Sequence, residues 1–259
     1  MVTITPTTLP TTPSTSYVLT GLTAGTTYNF LLVPFTWDGV NAATYNYLTA
    51  SAPTTSAVAI TNPAITTTTA ISSITNTSAA SGGSGISANG GTISAKGVVW
   101  NTATAPTTAN NSTNDGTGTA AFSSALSSLS PQTLYYVRAY ATNEVGTGYG
   151  NELTFRTLST LATAQASSLS ATASASGELT INWTGATFPS SGATQGGYAL
   201  IYSTGTPTLT SANGSAPAAG VGTLVTITPT ALPTAPNTSY VLNGLTGGSN
   251  YNFLLVPFT

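Results

Sequence analysis

The chain contains neither cysteine nor histidine among its 259 residues. It therefore has no thiolate nucleophile, no imidazole base and no soft donor set for a zinc site. No disulfide can form, so cysteine usage gives no information about the redox compartment. These two absences exclude the commonest catalytic chemistries, and the sequence predicts no cofactor and no metal.

Charge is also scarce, at 3% of residues, against about a quarter in an average globular protein. The basic residues are Lys96, Arg138 and Arg156. Binding to a nucleic-acid backbone requires a basic stripe that displaces counterions, and three scattered cations cannot form one. No nucleic-acid partner is expected.

The five acidic residues do not form a pattern typical of catalysis. Glu144 and Glu152 flank one predicted hairpin, whereas a glycosidase needs two carboxylates that face each other across a sugar. We expect Glu152 to share the outer face of its strand with Arg138 and Arg156, in a surface ion pair that contributes little. No alternating run of acids suggests a calcium loop. The chain is predicted not to be an enzyme.

Long apolar runs are absent as well. The longest, FLLVPF at 253–258, is far shorter than the roughly 20 residues that cross a bilayer. No membrane insertion is expected. With 40% hydrophobic residues and little net charge, however, the composition is not that of a disordered chain.

Serine and threonine are abundant, at 85 of the 259 residues, and 26 glycines and 15 prolines are spread along the chain. Threonine favours strands, while glycine and proline favour tight turns. No segment has a sustained apolar period of 3.6 residues. We predict an all-β protein without significant helix, and the hydroxyl-rich composition favours an extracellular or cell-surface location.

A long internal repeat dominates the organisation. Residues 2–36 recur at 225–259, an offset of 223, with 28 of 35 positions identical. A fixed long period is typical of a repeat array. We predict two sandwich domains per 223-residue repeat. The predicted boundaries are 1–56 (the C-terminal part of a domain truncated at its N-terminus), 57–158 (a divergent domain) and 159–259 (the same type as 1–56, lacking its last strand).

Three strings carry a family resemblance: LTAGTTYNFLLVPF at 22–35, LSPQTLYYVRAYATN at 129–143 and LTGGSNYNFLLVPF at 245–258. They resemble the segment of fibronectin type III domains in which a tyrosine leads into a long strand. The string ELTINW at 178–183 resembles the second strand of that fold. The run from GVVWNT to GNELTF resembles tandem modules of large secreted bacterial surface proteins.

The resemblance implies tandem fibronectin type III-like β-sandwiches over essentially the whole chain. It also implies that Tyr28, Tyr135 and Tyr251 are tyrosine corners, whose hydroxyls bond to nearby backbone. By the same resemblance Trp183 is buried. Because sandwiches serve many functions, this likeness says more about the fold than about activity.

One strand is apolar on both faces. If Tyr251, Phe253 and Leu255 face the core, then Leu254, Val256 and Phe258 face outward, and their repeat equivalents are Leu31, Val33 and Phe35. The neighbouring strand GYALIYS at 197–203 adds either Tyr198, Leu200 and Tyr202 or Ala199 and Ile201. Such a face is covered by the same chain or marks an assembly contact.

The sequence therefore predicts a non-catalytic structural or adhesive segment of a long extracellular repeat protein: a stalk, an adhesin or a filament. Its expected partners are neighbouring repeats of the same chain, copies of itself and surface glycans. An alternative is a spacer or carbohydrate-binding module of a secreted glycan-active enzyme, with Trp37, Tyr45 and Tyr47 stacking on sugars.

A separate question is what completes residues 159–259. Residues 37–55 of a next chain could supply the last strand by strand addition. The duplication of 2–36 favours a continuous polypeptide instead.

Overall fold

A computed structural model describes residues 16–36, 38–231 and 238–259. Within these ranges the chain forms β-strands, one 3₁₀ turn at Ala42–Thr44 and no α-helix. The prediction of an all-β protein is confirmed. The strands group into a short N-terminal ribbon and two larger units, which we call the middle unit and the C-terminal unit.

The N-terminal ribbon is built from β1 (Thr27–Leu31), β2 (Phe35–Thr36), β3 (Asn46–Tyr47) and β4 (Thr54–Val58). β1 pairs antiparallel with β4, and β2 pairs antiparallel with β3. Most side chains of β1 and all of those of β4 are at least partly exposed, because no second sheet packs on the ribbon within the described residues.

The middle unit contains eight strands: β5 (Ala64–Thr68), β6 (Ala79–Ser87), β7 (Ala95–Asn101), β8 (Asn111–Ser112), β9 (Phe122–Leu126), β10 (Leu134–Thr142), β11 (Thr147–Tyr149) and β12 (Leu153–Arg156). One sheet has the order β5-β6-β9. The other has the order β11-β10-β7-β8, and β12 continues the edge by pairing with β10. All of these pairings are antiparallel.

The two sheets of the middle unit face each other across one apolar core. Both sheets contribute inward side chains at alternate positions, as a half-buried pleated strand requires. The core cluster consists of Ala79, Val98, Trp100, Leu126, Leu129, Tyr135, Val137 and Phe155. This arrangement is a fibronectin type III-like β-sandwich.

A buried threonine ties these two sheets together. The hydroxyl of Thr68, at the end of β5, donates to the carbonyl of Asn151 at 2.5 Å and accepts from the backbone N–H of Ala139 at 2.9 Å. The amide oxygen of Asn151 in turn accepts from the backbone N–H of Thr68 at 2.8 Å. A side chain of one sheet thus satisfies two backbone groups on the side of the other sheet.

The C-terminal unit repeats the plan with β13 (Ser167–Ala175), β14 (Glu178–Thr184), β15 (Gln195–Ser203), β16 (Thr208–Leu209), β17 (Ala219–Val221), β18 (Thr223–Ala231), β19 (Ser239–Leu242) and β20 (Asn252–Phe258). Its sheets have the orders β13-β14-β19 and β18-β15-β20, and β16 and β17 form a separate hairpin. The core cluster is Ile181, Trp183, Tyr198, Leu200, Ile227 and Leu242. As the sequence predicts, Trp183 is buried, with 5% of its surface exposed.

Candidate assembly surface

The three predicted corner tyrosines make the same local hydrogen bond. Each phenol oxygen accepts from the backbone N–H five residues upstream, at 2.9 Å from Thr23 to Tyr28, 2.9 Å from Ser130 to Tyr135 and 3.1 Å from Thr246 to Tyr251. The bond fixes the turn that leads into β1, β10 or β20. In the exposed ribbon, the N–H of Thr23 lowers the pKa of Tyr28, because it stabilises the phenolate.

The outer face of the C-terminal sheet is defined by the pairing of β15 with β20. Ala199 lies opposite Val256 and Ile201 lies opposite Leu254. Tyr198 and Leu200 instead point into the core, where Phe253 and Leu255 also pack. Of the two sets of neighbours considered in the sequence, Ala199 and Ile201 are therefore those beside Leu254, Val256 and Phe258.

This outer face is not an open patch. Ala199 and Ile201 are 1% and 0% exposed, and the three residues of β20 are half-buried. The connection 204–222, which includes the β16–β17 hairpin, lies beside them. Leu209, Ala212 and Pro217 of this connection line one cleft together with Ala199, Val256 and Phe258 of the face. Cover by the same chain is one of the two expectations stated above for this face. The sequence does not indicate which segment provides it, because the connection 204–222 has few large apolar residues, Leu209 and Val221, among small and polar ones.

A cleft of about 660 Å³ remains where the face meets the link from the middle unit. Its apolar lining includes Leu158, Leu161, Leu209, Val256 and Phe258. Its polar lining includes Gln132, whose side-chain amide donates to the hydroxyl of Ser159 at 2.9 Å, and Arg156, whose guanidinium donates to the carbonyl of Gln132. These two polar groups are thus engaged within the chain, and the lining of the cleft is of mixed polarity.

The equivalent face in the N-terminal ribbon is much more open. Leu31 is 63% exposed, while Val33 and Phe35 are half-buried. The ring of Phe35 packs on Tyr45 and Tyr47, with centroids 5.3 and 5.9 Å apart. Trp37, which the carbohydrate alternative invokes, lies outside the described residues.

The carboxylates bind backbone and hydroxyl groups rather than each other. Glu144 accepts from the N–H of Thr92 at 2.9 and 3.1 Å, which lowers the pKa of that carboxyl. Asp115 accepts from the hydroxyls of Thr113 and Ser124. These contacts stabilise loops, and within the described ranges no group of three or more acidic side chains is placed to hold a metal.

The expected surface ion pair of Glu152 is not formed in the part of the chain that the structure describes. Glu152 accepts from the backbone N–H of Ala105 at 2.5 Å. Arg138 lies over the ring of Tyr149, 4.7 Å from its centroid, and donates to the carbonyl of Gly150. The prediction was wrong: Arg138 and Arg156 bind backbone carbonyls, and Arg138 also packs on an aromatic ring, while the carboxylate binds a backbone N–H.

Nowhere in the described ranges does a helix have the length and hydropathy required to span a lipid bilayer.

Comparison with known proteins yields no matching family model and no matching curated protein. Among solved structures, the crystal structure of the chicken CNTN1 FN1–FN3 domains is similar, with a TM-score of 0.34 and 17% identity over 76% of this chain and 62% of that one. A second, a myokine structure, has a TM-score of 0.30 and 15% identity over 38% of this chain and 99% of that one. The chain thus spans 62% of the length of the chicken fragment. With TM-scores this low, the fold assignment rests on the strand pairing and the two cores described above.

Proposed function

We propose that the chain is a non-catalytic structural or adhesive segment of a long extracellular repeat protein, with two sandwich domains in each 223-residue period. The predicted boundaries, 1–56, 57–158 and 159–259, are part of this proposal. The observation that carries it is the repeat itself: residues 2–36 and 225–259 share 28 of 35 positions, and both copies place a corner tyrosine five residues after its backbone donor. Near-identical copies suit a chain that must present one surface many times.

The surface chemistry supports a structural role. Only eight side chains carry charge, and those acidic and basic groups that bind do so within the chain, to backbone groups of neighbouring loops and strands. Copies of such a chain can approach closely with little electrostatic repulsion. The expected partners are therefore neighbouring repeats and copies of the same chain.

Location and shape are tested on the native material. Antibodies raised against the 259-residue chain should label intact cells, and low-dose electron microscopy should show fibres or extended strings. Two sandwiches stacked end to end would give an axial spacing of roughly 70–90 Å, given strands of 6–10 residues plus loops. Labelling that appears only after permeabilisation would refute the extracellular role, and compact isolated particles would refute the extended one.

A second candidate, glycan binding, is favoured by one observation. The rings of Tyr45 and Tyr47 lie nearly parallel, at 11° and 6.0 Å, and Tyr47 is 49% exposed. Exposed parallel rings can stack on sugar faces. Binding on a glycan array that disappears with Tyr47→Ala but persists with Tyr17→Ala, another exposed tyrosine, would support this candidate.

A further inference from the structure

The link between the middle unit and the C-terminal unit is bound to the middle unit in its first half. This second link, residues 157–166, runs from the end of β12 to the start of β13 and contains no glycine. The N–H of Leu158 donates to the carbonyl of Thr75 at 3.0 Å, and the carbonyl of Leu158 accepts from the N–H of Gln132 at 3.1 Å. Thr75 and Gln132 both belong to loops of the middle unit, so the link leaves that unit along its surface.

The other half of the second link is bound to the C-terminal unit. The N–H of Thr160 donates to the carbonyl of Gly192 at 2.7 Å. The N–H of Thr163 donates to the carbonyl of Thr187 at 2.8 Å, and the N–H of Thr187 donates to the carbonyl of Ala164 at 3.2 Å. Both acceptor residues lie in the connection between β14 and β15, which therefore follows the link.

The corner turn of the middle unit contacts the centre of the second link. Gln132 lies three residues before the corner tyrosine, Tyr135, and has a φ of 50°, in the left-handed region. Besides its backbone bond to Leu158, its side-chain amide donates to the hydroxyl of Ser159 at 2.9 Å. Hydrogen bonds thus reach the link at each residue from Leu158 to Thr160.

A glycine of the C-terminal unit packs against the same corner turn. Gly192, in the connection before β15, has a φ of 75°. A Cβ placed on it would overlap the hydroxyl of Thr160 and would lie 3.0 Å from Cγ of Pro131, which precedes Gln132 in the turn. Only a residue without a side chain fits between the link and the turn in this conformation.

The junction between the N-terminal ribbon and the middle unit has the same construction. Gly25 lies three residues before the corner tyrosine of the ribbon, has a φ of 74°, and donates its N–H to the carbonyl of Ala59 at 2.8 Å. A Cβ placed at Gly90 of the middle unit would lie 2.7 Å from that carbonyl oxygen and 3.0 Å from the nitrogen of Gly25. At both junctions, therefore, a corner turn and a glycine of the next unit enclose the link.

A buried side chain strengthens this first junction, whose link consists of residues 59–63. Asn143 is 5% exposed, and its amide donates to the carbonyl of Thr61 at 2.7 Å and to that of Ala88 at 3.0 Å. Thr61 belongs to the link, and Ala88 belongs to the loop that carries Gly90. One amide thus joins the link to the loop that encloses it.

We propose that the corner turn of each sandwich, together with the link that follows it, is the docking surface for a glycine-containing loop of the next sandwich, and that this docking makes the array of domains a stiff rod. Linked domains generally move relative to one another unless their interface is extensive. Here the link itself is restrained by hydrogen bonds to both neighbours. The C-terminal unit carries the equivalent corner turn before Tyr251, so the two kinds of junction alternate along the repeat.

This stiffness deepens the proposed structural role and rests on it. The two are tested separately, because stiffness is measured on the purified chain and extracellular location on cells. A rod whose junctions are stiff but which is found inside cells would refute the proposed role alone, and a flexible chain on the cell surface would refute the stiff junctions alone.

The absence of cysteine from the chain allows spin labels to be placed at two chosen positions. The pair Ser123→Cys/Thr172→Cys spans the second link, and the reference pair Ser123→Cys/Thr154→Cys lies within the middle unit, with all three positions exposed on strands. Pulsed EPR of each full-length double variant gives a distribution of distances. A free link of about ten residues would spread its ends by roughly 16–19 Å, so we expect a docked junction to keep the spanning distribution within about twice the width of the reference. A spanning distribution several times wider than the reference would overturn the stiff junction.

The substitution Gly192→Ala tests the docking contact, because its methyl group would meet Thr160 and Pro131. Gly244→Ala is the matched control, since Gly244 has a φ of 74° and therefore similar backbone strain, but a Cβ placed there meets nothing within 4 Å. Gly192→Ala should widen the spanning distribution about twofold or more by freeing the link, and Gly244→Ala should leave it unchanged. Equal widths in the two variants would overturn docking at Gly192. The comparison of the spanning and reference pairs needs neither glycine variant, so it tests the stiff junction even if Gly192→Ala does not fold.

Discussion

The corner tyrosine of the middle unit should make a measurable contribution to its stability. Tyr135→Phe removes only the hydroxyl oxygen that accepts from the N–H of Ser130 at 2.9 Å. The ring remains in the core, stacked 5.7 Å from Phe155, so no large cavity forms. Loss of a hydrogen bond costs about 0.5–1.5 kcal/mol. Because Ser130 is exposed, its N–H can bind water instead, and we expect a loss of about 0.5–1.5 kcal/mol in the free energy of unfolding.

The assay is thermal unfolding of the full chain, followed by tryptophan fluorescence and calorimetry. Trp100 lies in the core of the middle unit and Trp183 in that of the C-terminal unit, so a change confined to one unit should leave the other transition unmoved. For a domain of 60–100 residues, each kcal/mol lowers the midpoint by about 4–8 °C. The midpoint of the middle unit should therefore decrease by about 2–12 °C.

Tyr136→Phe is the matched control, because the hydroxyl of Tyr136 makes no hydrogen bond within the part of the chain that the structure describes. The free energy of unfolding of this variant should change by no more than an ordinary surface substitution changes it, about 0.5 kcal/mol. If Tyr135→Phe unfolds at the temperature of the unmodified chain, or if Tyr136→Phe loses as much stability, the hydroxyl bond is not what stabilises this corner.

Three further predictions concern pH and glycine. Burial, together with the charge of Asp115, raises the pKa of Tyr140 above 10.0. The folded protein thus holds this proton more tightly than the unfolded chain does. The contribution of Tyr140 to the stability of the fold should be intact below pH 10.0 and decrease at higher pH. The unfolding midpoint of Tyr140→Phe should therefore decrease less steeply at alkaline pH than that of the unmodified chain. The backbone N–H of Thr92 lowers the pKa of Glu144, so this carboxylate should stabilise the fold above pH 4.5 and lose that effect as the pH falls further. The unfolding midpoint of Glu144→Gln should therefore depend less on pH in acid than that of the unmodified chain. A methyl group at Gly148 would overlap the carbonyl of Pro63, which directly precedes β5, whereas one at Gly247 meets nothing within 4 Å. Gly148→Ala should therefore cost more than 1 kcal/mol in urea unfolding, by the ordinary cost of overpacking, and Gly247→Ala less than about 0.5 kcal/mol.

The faces of single strands could be predicted from the sequence, because alternation is local. Alternation along β10 predicts that Tyr135 and Val137 share one face and that Arg138 and Tyr140 share the other. Tyr135 and Val137 do lie in the core. Tyr140, which the same alternation places on the opposite, outward face, is nevertheless only 5% exposed, and its hydroxyl donates to the carbonyl of Thr113 at 2.7 Å. The segment that covers it is 27 residues away in sequence and contains no apolar run, so nothing in the pattern of β10 could indicate it.

The candidate surface shows the same limit. The sequence correctly indicates that the strands around Ala199 and Val256 are apolar on both sides. It does not indicate that the connection 204–222 covers the outer side, because that connection consists largely of small and polar residues. Which part of an apolar face is covered depends on how a loop folds back, and loops have weaker sequence patterns than strands.

The hydrogen bonds of Thr68 should affect how the middle unit resists a stretching force applied to the two ends of the chain. Its hydroxyl joins Asn151, beside β12, to the N–H of Ala139 in β10, and its N–H binds the side chain of Asn151. A force that pulls β5 away from the sandwich must break these three bonds together, in addition to those between β5 and β6. Resistance to stretching is governed by the rate of unfolding rather than by equilibrium stability. We expect Thr68→Val, which keeps the shape of the side chain, to lower the force at which the middle unit opens, so that this unit would open first in a loaded fibre.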